Sequence, residues 1–427
     1  MIARATSPAR FSASMAASGR RASACRPCAA TLATAEERVM EKVAERLLSA
    51  ADLGVLRDLR HALHREPEVS GEEAETARRV AAFLGETGPD RLVTSLGGHG
   101  VAAVYDSGEP GPTLMVRAEL DALPIEQKSD RAWRSTRPGT SHLCGHDGHM
   151  ATLAGVALAL GRERPGQGRA VLLFQPAEED GSGAAAVLAD PAFDAIAPDI
   201  AIALHNMPGI ARGRAALIEG PANCASRSLQ IALSGTTAHA SSPDQGRSPM
   251  TALCELMPGL TALGCGGDLD ADFSLVTITH ASMGEREAGI APGTAELWAT
   301  LRTLTDARMG DLVARAEALV RDAAERSGLG VAIRYDDVFA HCVNDGEATA
   351  ILRRALDEEG VPHDTSLLPT RASEDFGRFG AKARSAMFLL GSGEDHSGLH
   401  TPQYDFPDEL IGLGARIFLR AIRKVLG

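Results

Sequence analysis

The sequence has no apolar run approaching the roughly 20 residues that cross a bilayer, so the body of the chain reads as soluble. It also lacks a basic excess. The formal charge is −13 over 427 residues, and no basic run lies outside the N-terminus, which excludes a nucleic-acid surface. Disulfide pairing is missing as a pattern too. Seven cysteines, odd in number and irregularly spaced, read as reduced thiols of an intracellular protein. Aromatic residues make up only 4%. No internal repeat is visible. A chain of this length is enough for two domains and a substantial core.

From Met1 to Ala35 there is no acid, Ala and Ser dominate, and Arg4, Arg10, Arg20, Arg21 and Arg26 appear. This composition predicts a disordered extension over residues 1–39, with an organelle transit peptide as the alternative. The expected location is otherwise the cytoplasm. The Cys25-x-x-Cys28 pair within this stretch has neither a strand nor a second pair beside it.

The densest chemistry lies in Ser141-His142-Leu143-Cys144-Gly145-His146-Asp147-Gly148-His149-Met150. One cysteine, three histidines and an aspartate share ten residues, and Gly145 lets the chain turn a thiolate and an imidazole toward one point. Cysteine and histidine at this spacing are also common in cores, so their company elsewhere decides. Strands are predicted over Val101 to Tyr105, Thr113 to Arg117, Ala170 to Phe174 and Ile200 to Leu204, with helices around Met40 to Arg65, Glu72 to Glu86 and Gly148 to Arg162. Glu119 and Asp121 follow the second strand, Glu178 and Glu179 the third, and His205 the fourth. In an open α/β sheet these carboxyl ends share one edge, so groups scattered in sequence should converge.

From about Cys224 to Val338 the pattern becomes strand, helix, strand, strand, helix, strand, with Ser248 expected to cap a helix begun by Pro249, and Pro258 to kink or end it. The expected fold class is therefore α/β: a main domain of residues 40–223 and 339–427, with a mostly parallel sheet flanked by helices. An inserted α+β domain of four strands and two helices occupies residues 224–338. The α/β pattern resumes with a helix over Ala350 to Glu359, a strand over Ala386 to Leu390, a loop bearing His396 and His400, and a closing helix.

A hydrolytic metal site needs ligands that leave room for water, and a carboxylate free to take its proton. Neighbouring Glu178 and Glu179 suit that division, although an acidic turn can also be only solvated. His205 and His400 taken singly read equally as core or ligand histidines.

Six ordered segments carry a resemblance. They are Arg60-His61-Ala62-Leu63-His64-Arg65-Glu66-Pro67-Glu68, Ala118 to Pro124, Cys144 to His149, Phe174-Gln175-Pro176-Ala177-Glu178-Glu179, Ser373-Glu374-Asp375-Phe376 and Leu399-His400-Thr401-Pro402. From Leu56 onward the chain resembles the metal-dependent amidohydrolases of the aminoacylase and carboxypeptidase superfamily, in the branch of hippurate hydrolases and indole-acetyl-amino-acid hydrolases. The resemblance implies two divalent ions held by Cys144, His146, Glu179, His205 and His400, with zinc or manganese first and cobalt or nickel as alternatives. It also implies Glu178 as general base and acid, Asp121 orienting a ligand, and His239 as a lid histidine that stabilises the oxyanion, often across a homodimer interface. The substrate expected is a small amide, an N-acyl amino acid, with no nucleic acid or membrane as partner.

Arg302, Arg247 and Arg371 are candidates for a substrate carboxylate. Glu119 stands where the branch usually has aspartate, and Gly289-Ile290-Ala291-Pro292-Gly293 stands where its lid carries Asn-Val-Ile-Pro-Asp. Intact chemistry with altered recognition is expected. The rival readings are a dipeptidase or aminopeptidase, a cysteine hydrolase using Cys144 with His146 or His149, and a metal-binding or ligand-binding relative without turnover.

Overall fold

The computed structural model describes residues 48–427. The Cys25–Cys28 pair, the extension over 1–39 and the start of the helix near Met40 lie outside the described residues. In chain order the main elements begin with α1 (Ala50–Arg65), α2 (Ala74–Glu86), β1 (Arg91–Leu96), β2 (Gly100–Asp106), β3 (Thr113–Glu119), α3 (His146–Arg162), β4 (Arg169–Gln175), α4 (Gly183–Ala189) and β5 (Ile200–Pro208). There follow β6 (Ala215–Ala216), β7 (Gly220–Asn223), β8 (Ala225–Ser234), β9 (Ala238–His239), α5 (Met250–Thr261), β10 (Ser274–Met283), β11 (Ile290–Ala291), β12 (Thr294–Thr303), α6 (Asp306–Arg326) and β13 (Gly330–Phe339). The chain closes with β14 (Cys342–Asn344), α7 (Gly346–Glu358), β15 (His363–Asp364), β16 (Arg384–Gly393) and α8 (Glu409–Leu426).

Eight strands form one sheet in the order β1-β2-β4-β3-β5-β16-β6-β15. Its centre, β4-β3-β5-β16, is parallel, and antiparallel pairs flank it. The central strands are buried on both faces, which is why Leu114 to Val116, Val171 to Phe174 and Ile200 to Leu204 read as unbroken apolar runs. One face packs under α1, α2, α3, α7 and α8. The other is covered by α4 and two short 3-10 turns, through Val187, Phe193 and Phe379. Because β3, β4, β5 and β16 run the same way, Gln175 lies opposite Glu119 and Leu389 opposite His205 along one rim.

A second, antiparallel sheet of order β10-β12-β8-β13 carries α5 and α6 on one face, with its own core around Leu229, Leu297, Leu256, Leu312 and Val320. The chain leaves the large sheet through β7 and returns through β14, and these two strands pair.

Several local expectations shift. The helix predicted from Gly148 starts at His146, because Gly145 takes a left-handed backbone (φ 94°) and turns the chain into its first helical residue two positions early. His205 lies within β5 rather than beyond it, since pairing with β16 continues to Pro208. Pro249 is the residue before α5, not its first turn, and Ser248, one place further out, accepts the Met250 N–H at 3.3 Å. Pro258 sits inside α5, which runs only to Thr261, so the missing N–H falls in the final turn.

Candidate active site

The rim of the large sheet gathers the chemistry. His146 opens α3, and its Nδ1 donates to the Asp121 carbonyl at 3.0 Å, with the Asp121 carboxylate beside it at 3.3 Å. With Nδ1 so engaged, Nε2 faces Glu179 Oε1 at 3.8 Å and Glu178 Oε2 at 4.0 Å. Asp121 is itself fixed, accepting from Ser70 Oγ at 2.8 Å and from the Glu179 backbone N–H at 2.9 Å. His205 donates from Nδ1 to the Asn206 carbonyl at 2.7 Å, which aims its Nε2 at Cys144 Sγ, 3.3 Å away. From the loop after β16, His400 brings Nε2 to 3.4 Å from Cys144 Sγ and 3.5 Å from Glu179 Oε2. The His146 and His205 imidazoles are thus each oriented by Nδ1 and present Nε2.

Cys144, His146 and His205 form one group of candidate ligands, and Cys144, Glu179 and His400 another; within each, the ligand atoms lie within 4.8 Å of one another. Cys144 is common to both. His146 Nε2 and Glu179 Oε1 are buried without a hydrogen-bond partner. A thiolate, three imidazoles and a carboxylate with such orphaned atoms fit a pair of divalent cations.

Electrostatics supports the fit. Burial pushes the Cys144 thiol well above its ordinary value, and Glu179 and Glu178 push it further. Burial likewise raises Glu178, with the like charges of Glu374 and Glu179 adding to it, and lifts Glu179 to about 7. Burial holds His205 down to about 3. Burial also opposes a charged His146, but Asp121 and Glu119 outweigh it and raise that imidazole to about 10. Crowded anionic donors in a dry rim are the setting that a bound cation relieves.

Glu178 stands outside the two groups that share Cys144. It accepts a 3.4 Å contact from the Asp375 backbone N–H and faces a cavity of about 330 Å³. The cavity runs from Cys144, Glu179 and His400 to Ser226, Thr300 and Arg302 on the smaller sheet. Arg302 Nη1 donates to two neutral acceptors, the Arg371 carbonyl and Ser373 Oγ, both at 2.8 Å. Met207, Met387, Leu389 and Leu399 make the apolar wall.

Asp121 and His146 stand behind the cavity wall in the rim cluster, whereas three predicted residues join neither the cavity nor that cluster. Arg247 donates to the Gly328 carbonyl at 3.1 Å, and Arg371 reaches the Gly267 carbonyl and lies over the Phe273 ring. His239 is exposed on the β9–β11 ribbon and hydrogen-bonded to Ser241.

Other residues escaped sequence reasoning. Buried Arg117 pairs with Glu119, Glu374 and Asp375 behind Glu178. Glu119 in turn accepts from His149 Nδ1 at 2.6 Å, and His149 Nε2 accepts the Asn206 N–H at 3.2 Å. Glu119 thus bridges Arg117 and His149. Glu73 accepts from the Gly71 and Ala177 N–H groups, pinning the turn before Glu178, where Ala177 holds φ 50°. The only sequence signal for these was their place in the six segments or beside them.

Comparison with known proteins gives the family and the fold. The chain is 30% identical to the N-acetyl-L-cysteine deacetylase of Bacillus subtilis over 86% of its own length and 87% of that protein. It is 27% identical to the hippurate hydrolase of Campylobacter jejuni, covering 87% of the chain and 97% of the relative. Among solved structures, a dinuclear metal-binding peptidase of the M20 family from Bacillus subtilis superposes with a TM-score of 0.73 at 24% identity, over 88% of this chain and 99% of that one. A sequence profile described as Peptidase family M20/M25/M40 matches residues 115–424, and the chain belongs to that family.

Proposed function

We propose that the protein hydrolyses the amide bond of N-acyl amino acids, with the two divalent ions of its family held by Cys144, His146, Glu179, His205 and His400. The observation that carries this reading is the pair of neighbouring carboxylates: Glu179 lies 3.8 Å from His146 and 3.5 Å from His400, whereas Glu178, 4.0 Å from His146, is held by the Asp375 N–H and lines the cavity that reaches Arg302. When bound, the ions supply Lewis acidity, polarising the amide carbonyl and acidifying water. Glu178 takes the water's proton and returns it to the leaving amine. Asp121 keeps the His146 lone pair directed inward, and Arg302 receives the substrate carboxylate. The apolar wall takes the acyl group or side chain.

Zinc suits the thiolate best and manganese comes next, with cobalt or nickel as alternatives. Residues 40–223 and 339–427 act as the catalytic domain and 224–338 as a lid through which two chains pair. In such a homodimer His239, exposed in one chain, serves the partner's site as an oxyanion donor.

A dipeptidase is the second reading, favoured by Asp337, which lines the cavity and would meet a free substrate amine. The test is a panel of N-acyl amino acids and dipeptides given to metal-stripped protein, with zinc or manganese returned. Metal-restored cleavage of acyl amino acids supports the first reading. Cleavage confined to dipeptides replaces it with the second, and metal binding without any turnover contradicts both.

A further inference from the structure

Arg60, on α1, makes no contact in the cavity and yet is one of the largest fully buried side chains. Its Nε donates to Asp147 Oδ2 at 2.7 Å, its Nη1 to Asp408 Oδ1 at 2.9 Å, and its Nη2 to Asp405. These carboxylates belong to two different segments. Asp147 is the residue after His146, whereas Asp405 and Asp408 lie in the loop that carries His400.

The surroundings close on the same point. His64 Nδ1 shares Asp147 Oδ2 at 2.8 Å, and Trp133 donates to Asp405 at 3.1 Å while its ring lies 5.7 Å from the Arg60 guanidinium. His61 stacks on Trp133 at 3.9 Å and reaches Asp408 at 2.9 Å. A buried guanidinium with a rigid fork fixes the relative placement of the carboxylates it binds.

We infer that Arg60 is a positioning residue that clamps the His400 loop against the Cys144–His146 turn, and so sets the second ion group, Cys144–Glu179–His400. This rests on the two-ion reading of the site. The other group has separate supports: His146 is oriented by Asp121, and His205 by the Asn206 carbonyl. The His400 imidazole has no comparable partner on its other nitrogen among the described residues. His400 takes a left-handed backbone (φ 60°); its N–H donates to the Leu143 carbonyl at 2.9 Å and the Pro402 carbonyl accepts the Lys128 N–H at 2.8 Å, which tie the near end of the loop, while the Arg60 fork ties its far end. Loosening the clamp should therefore affect one ion and spare the other.

The experiment titrates zinc into metal-stripped full-length protein against a competing chelator, for the natural chain and the variants Arg60→Met, Arg60→Lys and Asp408→Asn. The natural chain is expected to take two ions. Arg60→Met should keep one at its original affinity and bind the second on the order of 10–100-fold more weakly. Arg60→Lys should lie between, and excess zinc should restore the second ion. If Arg60→Met does not fold, Asp408→Asn decides, with a smaller but equally selective loss expected. Unchanged binding of both ions, or parallel weakening of both, overturns the clamp. Fewer than two ions in the natural chain would instead sink the two-ion reading.

Discussion

Cys144 must lose a proton before it can hold a metal, and its thiol is held high by burial and by Glu179 and Glu178. His146, raised to about 10, adds a second proton to be displaced, and Glu179, raised to about 7, a fraction of another near neutrality. The sign follows: metal ligands bind deprotonated, so zinc affinity should rise with pH between 6 and 8, by about tenfold per unit for each proton released. Calorimetry in buffers of different ionisation enthalpy should show at least one proton leaving per zinc pair at pH 7. A pH-independent affinity with no proton release would remove Cys144 from the ligand set. Arg302 offers a separate test. Shortened to Met, it should raise KM about tenfold or more for acyl amino acids and leave it unchanged for the corresponding amides that lack the carboxylate.

At the scale of the element, the turn into α3 decides whether thiolate and imidazole meet. A Cβ on Gly145 would collide with Asn206 Oδ1 and crowd the Tyr404 hydroxyl, at a φ that side chains avoid. Gly145→Ala should therefore lower zinc affinity on the order of 10–100-fold, read by chelator competition, while circular dichroism still reports the α/β fold. Metal binding at the natural strength would show that the turn tolerates the strain.

This element also shows what was legible in the sequence. Cys144, His146, Glu178 and Glu179 could be found because reactive residue types cluster beside strands whose apolar runs announce burial. Arg60 could not: its partners Asp147 and Asp408 lie 87 and 348 residues away, and no periodicity links them. Arg117 and Glu374 were hidden the same way, since a buried charge is informative only once its partners are known. The start of α3 was misplaced because a glycine's handedness depends on the tertiary turn around it.

Across the whole molecule, the cavity joins the large sheet's rim to Arg302 and Thr300 of the smaller sheet, so the chemistry depends on how the two meet. His239 lies outside that cavity in its own chain, and under the proposed pairing of two lids it would serve the partner's site. His239→Ala should then lower kcat about 10²-fold or more while zinc binding stays intact. Mixing His239→Ala with Glu178→Gln protein should recover about a quarter of natural activity, because half of the dimers regain one complete site. No recovery from a mixture shown to exchange subunits would return His239 to a local role.

The central claim is that Glu178 moves the proton while its neighbour and four other side chains hold metal. Glu178→Gln keeps the shape and removes the base, so zinc stoichiometry and turnover should be measured together on this one variant. Two zinc ions per chain, with kcat reduced by about 10²–10⁴, is the predicted result. Hydrolysis near the natural rate with both ions bound would contradict it and move the proton transfer to another group.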